Sequence, residues 1–276
     1  MGHRTVLVAA TPADAGHDAL ALGIDLARPL GGELVVGGVV TGHGKTSDAR
    51  ADALREELET LRATAPHDVP SSVEVVIATS VLRGLNDLAE ELEPEVLVLG
   101  PSHRGVLGRA LRGNVAAGAA FAACCAVAVA VPGQALRSAT RVGVGWDATA
   151  AADEALEWAV QMAERTGGVV RIIRALEPRH REGTVPEGGA RERTELVRRA
   201  AEARAAAESD LLWGDAADAL IEASRNLDLL VVGSSAKGPV RRALLGSVTG
   251  DVLHHAHCPL VVLPRGVHAP MDTAAA

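Results

Sequence analysis

Aromatic rings are nearly missing: the 276 residues hold one Phe, three Trp and no Tyr. A row of rings on which bases stack is therefore excluded, and with it a common way of gripping single-stranded nucleic acid. Positive charge is short as well. Lys and Arg number 27 against 35 Asp and Glu, a formal net charge of −8, so a phosphate backbone is repelled overall despite the local basic spot Arg241-Arg242. Cysteine is scarce, with three in the chain, two of them adjacent at Cys124 and Cys125, and no CxxC. That excludes a disulfide framework and a redox motif, and predicts a reducing, cytoplasmic setting. The amino terminus lacks the apolar run of a signal peptide, and Val6 stands where a myristoylation motif needs Ser or Thr. One long uncharged run does occur, the seventeen residues 115–131, at the short end of the roughly 17–25 that span a bilayer. Its Ala and Gly contribute little transfer energy, and the matching run in the second half, 248–263, carries Asp251 and three His. A buried helix leading into a buried strand explains both, and no membrane partner is expected. Catalytic signatures are absent too. GPSHRG at 100–105 is not a nucleophile elbow, no HExxH occurs, and Pro239 stands where a P-loop needs its lysine. No enzyme is expected, with slow ATP hydrolysis left open.

What is abundant is aliphatic: 48% of the chain is hydrophobic, so Val, Leu, Ile and Ala must do the packing. Shifting the chain along itself by about 135 residues aligns TVLVAAT (5–11) with RVGVGWD (141–147) and LARPLGGELVV (26–36) with MAERTGGVVRI (162–172). The same shift aligns EVLVLGPSHRGVLGRALRGN (95–114) with DLLVVGSSAKGPVRRALLGS (228–247). The chain is a tandem duplication, with domains predicted at 1–134 and 139–266 and a flexible tail at 267–276. Within a half, strands and helices alternate. Leu20, Ile24 and Ala27 mark the face of a first helix; Leu54, Leu58 and Leu61 mark a second. Strands are predicted at 73–77, 95–99 and 126–131 and a third helix at 85–92, with a fourth helix before the last strand. In the second half a polar insertion from Pro178 precedes a helix predicted at 191–207. Such alternation gives an α/β fold with a five-stranded parallel sheet per half, covered by helices on both faces.

Residues 227–264 carry the sharpest signal. A buried strand ends at Gly233, a loop comes next, and Gly246-Ser247 opens a helix in which Val248 and Val252 lie one turn apart, closed by Pro259. Backbone amides at such a helix start favour an anion. Gly233, two residues, Ala236, nine residues and Gly246-Ser247, with Val248-Thr249 next and a closing HCPLVVLP, resemble the universal stress protein family, whose nucleotide-binding members carry G-x2-G-x9-G-(S/T). The resemblance covers both halves. It implies two Rossmann-like (adenine nucleotide alpha hydrolase-like) domains with strand order 3-2-1-4-5. Ligands of such a sheet settle at the switch point between strands 1 and 4. It also implies ATP, with Mg2+ as a possible companion, held in the second half by Gly145, Trp146, Asp147, Val232, Gly233, Ser235, Ala236, Gly238, Gly246, Ser247, Val248 and Thr249. Asp147 falls where the family places an acid on the nucleoside side. In the first half the matching residues are Thr11, Gly100, Ser102, His103, Gly113 and Asn114. There the acid, the second glycine and the hydroxyl are each replaced, so the second half is expected to bind better. The resemblance further implies that the final strands pair the halves into a pseudo-dimer and that chains dimerise again.

Other readings stay open. Asp147 and Ser247 are each candidate helix caps. Gly143, Gly145 and Ala148 match G-x-G-x-x-G/A, with Glu177 in reach as a ribose acid, which would suit a nicotinamide-dependent enzyme. His254, His255, His257 and Cys258 have metal-ligating side chains, but histidines at a helix end also complement its dipole. The expected function is nucleotide-dependent regulation in a stress response. The alternative is an interaction module that has lost its nucleotide.

Overall fold

The computed structural model describes residues 4–101, 125–133, 139–176, 189–234 and 246–264, and these fall into two compact units, 4–133 and 139–264. The first unit runs β1 (Thr5–Ala9), α1 (Asp14–Leu30), β2 (Glu33–Thr41), α2 (Lys45–Arg62), β3 (Ser71–Ala78), α3 (Val81–Leu92), β4 (Val96–Leu99) and β5 (Ala126–Val129). The second runs β6 (Arg141–Gly145), α4 (Ala150–Thr166), β7 (Val169–Leu176), α5 (Gly189–Glu202), β8 (Ala206–Trp213), α6 (Ala216–Ser224), β9 (Leu229–Gly233), α7 (Ser247–His255) and β10 (Leu260–Leu263). The fourth helix expected in the first half and the tail at 267–276 lie outside the described residues.

Strand order is β3-β2-β1-β4-β5 in the first unit and β8-β7-β6-β9-β10 in the second, all parallel, which is 3-2-1-4-5 twice. Central strands are buried on both faces, which is why β1, β4 and β9 read as unbroken apolar runs. Leu7, Leu22, Leu26, Leu34 and Leu58 are fully buried in the first unit and Met162, Ile172 and Ile173 in the second. Each such side chain contributes about 1.5–3 kcal/mol.

The duplication extends to turn chemistry. Helices α1 and α4 both end at a left-handed glycine, Gly31 with φ 63° and Gly167 with φ 66°, whose amides return to Ala27 and Ala163. At the amino ends of the central strands Arg4 Nε lies 3.3 Å from Glu95, and Arg141 meets Asp228 at 2.8 Å. Burial pushes the Asp228 carboxylate up, but hydrogen bonds from Arg141 and Thr140 outweigh it and hold it below the usual range.

The helix predicted at 191–207 stops at Glu202 instead. Alanine-rich sequence favours continuation, yet Ala206 and Ala207 pair with Val169 and Val170, so sheet pairing overrides local propensity. Likewise α7 ends at His255. His257 and Cys258 lie beyond it and share no helical face with His254, and the His257 amide donates to Ser224 Oγ at 2.8 Å. Burial pushes the Cys258 thiol up to about 12.

Candidate functional site

Parallel register brings the loops after strands 1 and 4 of each unit to one level. Gly145 pairs with Val232, so Trp146 and Asp147 leave β6 beside Gly233 as it leaves β9; Ala9 pairs with Leu99 in the same way, setting Thr11 near Gly100. The two glycines share one packing duty. A β-carbon on Gly233 would lie 2.3 Å from the Ala151 carbonyl oxygen, and one on Gly100 would lie 2.2 Å from that of Ala15. Only glycine lets the strand end rest on the first turn of α4 or α1, so this position serves helix packing as well as any ligand.

In the second unit Asp147 is exposed and folds onto its own loop. Its Oδ1 accepts from the Thr149 amide at 3.1 Å and from the Thr149 hydroxyl at 2.6 Å. Thr149, not Asp147, is the helix cap, its Oγ accepting from the Ala152 amide at 3.3 Å. Between them Ala148 takes φ 65°, a left-handed conformation that costs a non-glycine residue about 1 kcal/mol. Helix α7 starts from Gly246 with no side-chain cap. Ser247 is therefore the first helical residue and is exposed, Val248 is half-buried and Thr249 is buried, and among the described residues no side chain caps that first turn. Ser235, Ala236 and Gly238, and in the first half Ser102, His103, Gly113 and Asn114, lie outside the described residues.

Gly143 and Gly145 sit inside β6, where their smallness admits Leu227, 2.2 Å from a β-carbon built on Gly143, and Leu220, 3.0 Å from one on Gly145. A dinucleotide fingerprint needs such glycines in the turn after the strand, so here they serve packing. Trp146 is not a ligand surface either. Its indole is 2% exposed, its Nε1 donates to Asp153 Oδ1 at 2.8 Å, and the guanidiniums of Arg174 and Arg199 lie over the ring at 5.3 and 5.5 Å from its centroid.

The first unit contains a cavity of about 320 Å³ at the carboxyl ends of β1 and β2, within the usual size range of small-molecule sites. Ala10, Thr11 and Gly37 line it together with the apolar Leu54, Val81 and Leu85, and Arg50 and Glu57 bring charge. Sequence reasoning names Thr11 but neither Ala10 nor the contribution of α2. The signal is present in the internal alignment, which sets Ala10 against Trp146. Among the described residues no group of three or more His, Cys, Asp or Glu side chains is placed to hold a metal, and no helix is long and apolar enough to cross a membrane.

Known proteins share this fold. The model of the Universal stress protein family matches residues 2–131 and 139–264. A universal stress protein of Mycobacterium tuberculosis H37Rv is 30% identical over 295 residues, covering 94% of this chain and 99% of the relative. The crystal structure of a universal stress protein from Archaeoglobus fulgidus DSM 4304 superposes with a TM-score of 0.72 at 17% identity, over 96% of this chain and all of that one. A shorter universal stress protein solved in complex with cAMP is 27% identical, with a TM-score of 0.37, over 45% of this chain and 95% of its own.

Proposed function

The chain belongs to the universal stress protein family, and from that premise we propose that it is a cytoplasmic adenine-nucleotide-binding regulator, with ATP as the ligand and Mg2+ as its companion. The observation that carries this reading is the cavity of about 320 Å³ at the carboxyl ends of β1 and β2, next to the switch point where Thr11 and Gly100 leave neighbouring strands. The residues present suit such a ligand. The apolar lining fits the face of a base, Glu57 can accept from an exocyclic amino group, and Arg50 offers positive charge to phosphate.

The ligand acts as a signal, not a substrate. A nucleotide bound more tightly by one arrangement of loops shifts the chain toward it and changes which partner it meets, a second copy of the chain among them. The second reading, an interaction module without nucleotide, draws on Thr11 in place of an acid and on the buried ring at Trp146. Releasing bound small molecules from purified protein by denaturation, identifying them by mass spectrometry, and monitoring thermal unfolding with added ATP separates the two. The nucleotide reading predicts released adenine nucleotide and a stabilisation of about 2.7 kcal/mol when ATP stands at 100 times its Kd. No release and no shift with ATP or AMP would leave the interaction module.

A further inference from the structure

Ala10 and Trp146 hold the same place in their units on two independent counts. Strand register makes them equivalent, since Ala9 pairs with Gly37 and Gly145 with Ile173. Their backbone bonds agree: the Ala10 amide donates to Gly37 and the Trp146 amide to Ile173, each at 2.9 Å. The space above that shared backbone is filled differently in the two units. The first unit has its cavity there, with Ala10 and Gly37 among the residues that line it. The second unit puts an indole there instead, with Trp146 2% exposed.

An indole is a flat bicycle of nearly purine size, and the company Trp146 keeps is what a bound base would ask for. A carboxylate accepts its ring N–H at 2.8 Å, and guanidiniums from β7 and α5 lie over the ring. Arg199 is itself fixed to the same carboxylate, 3.3 Å from Asp153 Oδ1, so strand, ring and two helices are tied together. We propose that Trp146 stands in for the nucleotide base in the second half and closes that cleft, so that one chain takes one adenine nucleotide, with its base in the first-half cavity. This rests on the nucleotide reading and fixes its number and place.

Native mass spectrometry with ATP as the probe counts ligands per chain. The wild type binds one. Ala53→Trp, on an exposed cavity-lining position of α2 that tolerates a large side chain without burial in the core, binds none, and Ala10→Trp likewise binds none. Trp146→Ala, with folding confirmed by circular dichroism, binds two. Should that variant not fold, Ala53→Trp decides: loss of the single ATP upholds the assignment, and its retention overturns it. Two ATP on the wild type, or one on folded Trp146→Ala, also overturns it. ATP binding retained by Ala53→Trp sinks this inference alone and leaves the nucleotide reading standing. No ATP on the wild type or any variant removes both.

Discussion

The two halves share a frame and differ where a ligand would meet it. Gly100 and Gly233 make the same close approach to the first turn of the first helix in their own unit, and Gly31 and Gly167 end those helices in the same left-handed conformation. The loops after the first strands diverge. Thr11, Pro12 and Ala13 stand in one, and Asp147, Ala148 and Thr149 in the other. Ala13 caps α1 without a side-chain bond, whereas Thr149 caps α4 with one and is held by Asp147. Beneath them lies Ala10 on one side and a buried Trp146 on the other. Duplication has thus kept what the sheet requires and released what the cleft contains.

That contrast can be broken by substitution. The largest effect belongs to Trp146→Ala, which removes a buried ring and is expected to cost the second unit about 3–5 kcal/mol in urea unfolding. A cost under about 1 kcal/mol would show that the indole is not a structural filler. Next come Gly100→Ala and Gly233→Ala, each placing a methyl within 2.3 Å of a carbonyl oxygen. Both are expected to lose about 2–3 kcal/mol, and unequal losses would mean the frame is less shared than its geometry.

Smaller effects sharpen the comparison. The Asp228 carboxylate is held below its ordinary range by Arg141 and Thr140, so its contribution is fully present at neutral pH and fades as pH falls through its depressed value, below about pH 4. Asp228→Asn is therefore expected to cost about 1–2 kcal/mol at pH 7 and to flatten the acid limb of a stability profile, measured by denaturation from pH 7 to pH 2. Smallest is Ala148→Gly, which relieves a left-handed alanine and should stabilise the second unit by about 1 kcal/mol in thermal unfolding. A loss instead would place the strain of that loop elsewhere.

Much of the fold is legible because strands and helices announce themselves by pattern. Val and Leu runs mark β1, β4 and β9, and Leu20, Ile24 and Ala27 give the buried face of α1. Strand order comes with the family resemblance, which the fold bears out twice. The end of α5 is illegible because Ala206 and Ala207 suit a helix and are drawn into β8 by Val169 and Val170, partners distant in sequence. Motif reasoning points to the second half, where Asp147, Gly233 and Gly246-Ser247 survive. Geometry favours the first, because a motif records loop residues and says nothing of a tryptophan beneath them. Reading Ala10 against Trp146 as a change in volume carries that signal.

The most direct test is a crystal structure grown with ATP and Mg2+. Density is expected for one nucleotide, its base over Ala10, Thr11 and Gly37, with the Trp146 indole still on Asp153 in the second half. A nucleotide seated beside Asp147 with Trp146 swung away would contradict that placement.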